Sequence, residues 1–301
     1  MIRFADEITR PQVRRMWKTV FGDPDDYMET YFRHKYHDEN TLVYVEEGKV
    51  VASLQMLSYG FTFCGTEIPI IYLSGVSTLP QYRRKGYVRQ LLVRSFEEAA
   101  HRDVKLMLLV PQEEWLLKFY DRYGFAQTFD TGEEELPSLK ALIEKHPGDL
   151  LAASKEFDDF FRQNDMTIQK SFDDFHAMIE EAALFNFPEK RSLIGMARVI
   201  DAERLLSLFA ARYGGKSFSI TVHDELVESN NALFTVADGK VDKRFPRNES
   251  DVPDGQVAQP VLTTNIRELA ELLLGYHTSE KKYPLNTLFP EKQPQMHFML
   301  E

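Results

Sequence analysis

The chain has 301 residues, of which 43% are hydrophobic, enough for a folded protein with a sizeable core. Its 47 acidic and 36 basic side chains give a net charge of -11, which argues against general nucleic-acid binding. Cys64 is the single cysteine, so neither an intrachain disulfide nor a thiolate zinc site is expected. The charged start and the lack of a long apolar run predict a cytoplasmic protein with no membrane partner.

The first part of the chain predicts a mixed α/β domain over residues 1–136. Its expected elements are a strand at 2–4, helices at 11–21 and 24–36, hairpins at 41–57 and 61–78, a helix from 88, a strand at 105–110 and a helix at 113–123. The second arm of the second hairpin, residues 70–78, is nearly all apolar, as expected of a central strand. Gly124 is the predicted stop of the last helix.

The rest of the chain predicts a helical connector over 137–190 and a small α+β domain over 191–301. Asp201 and Asn265 are expected to cap two helices of that domain, with Glu268 in a capping-box position. Between the helices, three strands joined by "SNN" and "DG" turns predict an antiparallel sheet. The overall fold class is therefore α+β.

The stretch "TLPQYRRKGYVRQLL" lies between the apolar strand and an amphipathic helix. Five cations and no acid occur between positions 81 and 94, namely Arg83, Arg84, Lys85, Arg89 and Arg94. Free backbone N–H groups at a helix start favour phosphate oxygens, and Gly86 allows a ligand to approach the backbone closely. A phosphate site and a solvated basic helix start both fit these features.

This stretch resembles the acetyl-CoA-binding motif of the GNAT acetyltransferases, a strand followed by Arg/Gln-x-x-Gly-x-Gly/Ala at a helix start. Arg83, Gly86 and Val88 occupy the three defining positions, and Val88 departs from the usual small residue. "YRRKGYVR" is similar to the branch named after the mycobacterial Eis protein. "LLKFYDRYGF" resembles the segment after the fifth strand of GNAT enzymes, and the C-terminal region resembles a sterol carrier protein.

The resemblance implies that acetyl-CoA is the co-substrate and binds where the fourth and fifth strands splay apart. It implies no metal and no covalent intermediate. The pantetheine arm is expected along Val76, Ser77 and Thr78. The pyrophosphate is expected at the helix start, beside Arg83 and along Arg84, Lys85, Gly86, Tyr87, Val88 and Arg89.

Two catalytic residues follow from the same resemblance. Tyr120 matches the tyrosine near the thioester sulfur, and a phenol can protonate the leaving thiolate. A purely core position beside Phe119 and Phe125 is the alternative for Tyr120. The α-carboxylate of Glu301 is the expected base, with the apolar residues before it seating the terminus in a pocket, and a frayed, idle C-terminus is the alternative.

The predicted function is N-acetylation of a primary amine by a bacterial-type enzyme. An aminoglycoside, a polyamine and a lysine side chain all suit an acidic protein, and net charge does not choose among them. A non-catalytic sensor of CoA or of another small ligand is the alternative, and a lipid carrier ranks third. The small-molecule amine is the expected partner, and a homo-oligomer is left open.

Overall fold

The computed structural model describes residues 1–133, 135–245 and 260–300. Its first elements are β1 (Ile2–Phe4), α1 (Arg10–Val20), α2 (Asp25–His34), β2 (Thr41–Glu46), β3 (Lys49–Phe63), β4 (Thr66–Thr78), α3 (Tyr87–His101), β5 (Leu106–Leu109), α4 (Trp115–Asp121) and β6 (Ala126–Phe129). They are followed by α5 (Leu139–Lys145), α6 (Leu150–Phe161), β7 (Thr167–Gln169), α7 (Phe172–Leu184), β8 (Gly195–Val199), α8 (Ala202–Arg212), β9 (Phe218–His223), β10 (Ala232–Ala237), β11 (Lys240–Arg244), β12 (Val261–Asn265), α9 (Ile266–Leu274) and α10 (Leu285–Leu288). None of these helices is long and apolar enough to cross a lipid bilayer.

The larger sheet is mixed and has the strand order β1-β2-β3-β4-β5-β8-β6, with β7 attached to β3. Strands β1 to β4 are antiparallel neighbours, and β4 and β5 run parallel. Successive side chains of a strand point to opposite faces of the sheet, so both faces carry side chains that need to be buried. Helices cover both faces. Leu42 packs in the cluster beneath α3, while its neighbour Val43 packs in the cluster beneath α1. The predicted α+β fold class is confirmed.

Strand β8 lies in the larger sheet, although its residues fall within the predicted C-terminal domain, 191–301. Ala197 pairs with Leu108 of β5 on one side and with Ala126 of β6 on the other. All five residues of β8 are buried. The structure thus places these residues in the sheet of the first domain, in the buried gap between β5 and β6. The boundaries at 136 and 190 stay predictions.

The connector, predicted to be helical, contains the helices α5, α6 and α7 and one strand that was not predicted. The short strand β7 pairs antiparallel with Gly60–Thr62 of β3. All three residues of β7 are buried. A three-residue strand is too short to show an apolar period in sequence.

The smaller sheet has the order β11-β10-β9-β12. Its antiparallel β9, β10 and β11 confirm the three predicted strands, but β12 runs parallel to β9, so the purely antiparallel prediction was wrong there. Asp201 and Asn265 cap their helices as predicted, accepting hydrogen bonds from Arg204 N and Glu268 N. The Glu268 side chain instead accepts from the hydroxyl of Thr264.

The two sheets share one hydrophobic core, and a buried ion pair joins them. Arg198 of β8 is 0% exposed and donates to both oxygens of Asp224, which is 1% exposed, at 2.8 and 2.9 Å. Leu108, Leu206 and Leu269 belong to the same core cluster. The C-terminal region therefore packs as an extension of the first sheet and its core.

The last described residues run through the interior. Met296 to Leu300 are all buried, and Gln295 forms a parallel bridge with Thr167. Phe298 and Leu300 pack in the cluster that contains Trp17. Glu301, the predicted base, lies outside the described residues.

Candidate functional site

The fourth and fifth strands separate after a short paired segment. β4 pairs with β5 only at Ile71–Met107 and Tyr72–Leu108, yet it continues to Thr78. A β-bulge follows, since Gly75 and Val76 of β4 face one residue of β3. A bulge bends its strand, so the end of β4 turns away from β5 and an opening forms between them.

Glycine is required at the bulge. Gly75 has φ +58°, a conformation that L side chains rarely adopt. A Cβ atom there would lie 2.4 Å from Cζ3 of Trp17. The missing side chain therefore lets the indole of Trp17, on α1, close over the bulge.

An outer cavity of about 760 Å³ lies between the end of β4, the start of α3 and α4. It falls within the usual range of cofactor pockets, roughly 300–1,000 Å³. The structure places all of the predicted cofactor residues on its walls: Val76, Ser77, Thr78, Arg83, Arg84, Lys85, Gly86, Tyr87, Val88 and Arg89. Tyr120 also lines it.

The start of α3 presents an open, positively charged wall. Gly86 is the N-cap with φ +79°, and a Cβ atom there would meet nothing within 4 Å. The first N–H groups of a helix have no partner inside it, so they are free to face a ligand. Four exposed cations flank them, and none pairs with a carboxylate of the described residues: Arg83, Arg84, Lys85 and Arg89. The fifth cation of the motif, Arg94, is neutralised by Glu97 and Glu98.

Individual side chains on this wall differ in what they can offer. Thr78 has a buried hydroxyl with no hydrogen-bond partner among the described residues. Ser77 shares a hydrogen bond with Ser53 at 3.3 Å, and the Tyr87 hydroxyl donates to Glu46 at 2.9 Å. Thr78 therefore has a side-chain hydroxyl available to a ligand, whereas the hydroxyls of Ser77 and Tyr87 are already engaged.

A smaller inner cavity of about 110 Å³ continues from the outer one towards α1. The two cavities share five lining residues: Phe21, Val76, Gln112, Leu116 and Tyr120. Tyr120 is 6% exposed, and its ring packs on Phe119 and Phe125 at 5.1 and 5.8 Å. Burial raises the pKa of its hydroxyl, which stays protonated at neutral pH. Tyr120 is thus a core residue that also lies at the junction of the two cavities, and its catalytic role stays a prediction.

A polar group that was not predicted from the sequence lies beside the inner cavity. The Tyr31 hydroxyl lies 2.7 Å from the Ser74 hydroxyl and 3.2 Å from Oε1 of Gln55. Ser74 lines the inner cavity, next to Gly75. No local sequence signal marks this group, because α2, β3 and β4 meet only in the folded chain.

An unpredicted wall of the outer cavity lies on α4 and the turn that follows it, where Trp115, Phe119, Arg122 and Tyr123 line the same cavity as the cations. The spacing of these positions, i, i+4, i+7 and i+8, is that of one helix face. That periodicity was visible in the sequence as an aromatic stripe.

Comparison with known families agrees with this geometry. Residues 1–128 match the acetyltransferase (GNAT) domain, and residues 203–294 match the sterol carrier protein domain. The chain thus carries one segment that matches each of these two domain families, as predicted. No curated protein matches it.

Solved structures show the same fold along the whole chain. A probable N-acyltransferase from Enterococcus faecalis aligns with TM-score 0.68 and 12% identity, covering 99% of this chain and 98% of that one. A GCN5-related N-acetyltransferase from Anabaena variabilis aligns with TM-score 0.69 and 13% identity, covering 99% and 100%. Eis1 from Mycobacterium abscessus aligns with TM-score 0.63 and 16% identity, covering 99% of each chain. The predicted Eis-like architecture is confirmed at the level of fold.

Proposed function

We propose that this protein is an acetyl-CoA-dependent N-acetyltransferase that moves the acetyl group directly to a primary amine. One observation carries the proposal. Two adjoining cavities lie between the unpaired cations at the start of α3 and the bulge of β4, with Tyr120 lining both. Such an arrangement suits a ligand with an anionic end outside and a reactive end inside.

The pyrophosphate of the co-substrate fits the start of α3. The N–H groups that follow Gly86 and the flanking arginines provide donors and positive charge for phosphate oxygens. The pantetheine arm fits along the free edge of β4, where Thr78 has a spare hydroxyl. This arrangement brings the thioester to Tyr120.

The chemistry needs one bond made and one broken. The amine nitrogen attacks the acetyl carbonyl carbon, the carbon–sulfur bond breaks, and the thiolate accepts a proton. Tyr120 is protonated at neutral pH and lies at the junction of the cavities, as a proton donor to the sulfur must. The amine gives up one proton, and Glu301 stays the predicted acceptor of it.

The inner cavity limits what the amine can be. Its volume of about 110 Å³ is small beside that of the outer cavity, and it suits the reacting end of a substrate. An extended amine that offers one primary amino group fits this limit. An aminoglycoside, a polyamine and a lysine side chain all meet it.

Isothermal titration with acetyl-CoA tests the site. Gly86→Glu puts a carboxylate into the phosphate wall, and we expect it to abolish binding that the wild type shows. Gly148→Glu is the matched control, because Gly148 has φ +77° and equally open surroundings on the connector. No binding by the wild type, or equal loss in both variants, would refute the site.

Turnover separates the enzyme from the sensor. We expect thiol release from acetyl-CoA in the presence of a suitable primary amine from a panel of the three classes. Binding without thiol release for any member of the panel would favour the sensor instead.

A further inference from the structure

Trp115 is exposed at the rim of the outer cavity. It is 60% exposed, and it is one of two tryptophans in the chain. Its Nε1–H donates to the Glu113 carboxylate at 2.6 Å, and its ring meets Phe119 edge-on, with centroids 6.2 Å apart. The indole is therefore held in one orientation while much of its surface stays open to the cavity.

Arg122 adds a cation to the same wall. Its guanidinium lies over the Phe119 ring, 5.2 Å from the centroid, and it is exposed. No carboxylate among the described residues pairs with it. Phe119 thus contacts both neighbours, the indole and the guanidinium.

The exposed fractions of the lining residues distinguish the deep end of the outer cavity from its rim. Tyr120, 6% exposed, marks the deep end that the inner cavity shares, and Trp115, 60% exposed, marks the rim. In CoA the adenosine 3′-phosphate lies on the far side of the pyrophosphate from the thioester. With the thioester at Tyr120, the adenosine therefore lies at the rim.

We infer that Trp115 is a stacking platform for the adenine of CoA and that Arg122 binds its 3′-phosphate. This inference rests on the proposed function. An aromatic ring stacks on any base without hydrogen-bond readout, and a nearby arginine supplies the charge. The carboxylate of Glu113 repels phosphate, so the 3′-phosphate lies on the Arg122 side of the indole.

The consequence is donor selectivity. Acyl groups on complete CoA bind better than the same groups on a bare phosphopantetheine arm, the form that a carrier protein presents. Base stacking on one aromatic side chain changes affinity by roughly 5- to 150-fold. The wall on α4 therefore selects nucleotide-borne thioesters.

Titrations with three probes test this selectivity: acetyl-CoA, 3′-dephospho-acetyl-CoA and S-acetyl-phosphopantetheine. We expect Trp115→Ala to weaken acetyl-CoA binding by about tenfold or more and to leave phosphopantetheine binding unchanged. Trp115→Phe should retain most of the affinity. Arg122→Ala should weaken binding of acetyl-CoA and not of the dephospho probe. Leu151→Ala and Lys240→Ala, which alter exposed side chains elsewhere, are the controls.

Fluorescence gives an independent readout. In a Trp17→Phe background Trp115 is the only indole, and acetyl-CoA but not phosphopantetheine should quench its emission. Equal affinity of the wild type for acetyl-CoA and phosphopantetheine would overturn the inference while leaving the proposed function standing. An equal loss of both probes in Trp115→Ala would also overturn it. Failure of the wild type to bind acetyl-CoA would defeat both proposals.

Discussion

Gly75→Ala should destabilise the protein more than Gly86→Ala does. Both glycines have positive φ, so an alanine costs about 1–2 kcal/mol of backbone strain at either position. At Gly86 the new methyl group meets nothing within 4 Å, whereas at Gly75 it lies 2.4 Å from Cζ3 of Trp17. The optimum carbon–carbon separation is about 3.5–4.0 Å, so the overlap exceeds 1 Å.

Trp17 cannot easily move out of the way. Its indole packs on Phe21 and Tyr31, with ring centroids at 4.9 and 4.5 Å, and its Nε1–H donates to Asp23 at 2.6 Å. Overpacking of this kind costs about 1–3 kcal/mol. The two variants should therefore differ by about 1–3 kcal/mol in free energy of unfolding.

Urea denaturation of both variants, followed by circular dichroism, measures the difference. The Trp17→Leu background is the control, because removing the indole should shrink the difference below about 1 kcal/mol. Equal destabilisation by the two alanines in the wild-type background would refute the steric argument.

Three further outcomes are expected. Asp224→Asn leaves the buried guanidinium of Arg198 without its counter-ion and should cost about 3–5 kcal/mol in thermal or urea unfolding. Tyr120→Phe keeps the ring packing, so thiol release should fall by about 10²–10⁴-fold while acetyl-CoA affinity in titration stays unchanged. Burial holds the pKa of His297 well below 6.5, so the unfolded chain alone protonates this residue below that pH. The contribution of neutral His297 to the free energy of unfolding is therefore complete above pH 6.5. Below that pH the free energy of unfolding falls by up to about 1.4 kcal/mol per pH unit. His297→Phe should reduce that slope in urea titrations at pH 5 to 7.

The sequence by itself determined the local elements and the basic, glycine-containing turn before α3. The apolar periods of α1, α3 and the hairpins, and the caps Asp201 and Asn265, depend on neighbours a few residues away. Gly86 and its flanking cations are likewise contiguous, so one motif placed a whole wall of the outer cavity. Interactions at short separation leave their pattern in the chain itself.

Tertiary structure alone decided which distant segments meet. The insertion of β8 between β5 and β6 joins segments some 70 to 90 residues apart, and periodicity carries no information about such pairing. The closure of Trp17 over Gly75 and the contact of Tyr31 with Ser74 depend on how α1 and α2 lie across the sheet. Trp115 lines the same cavity as the cations at the start of α3 only because β4 and β5 splay apart between them. The inner half of the site is thus a product of long-range packing, whose geometry is set by the fold as a whole.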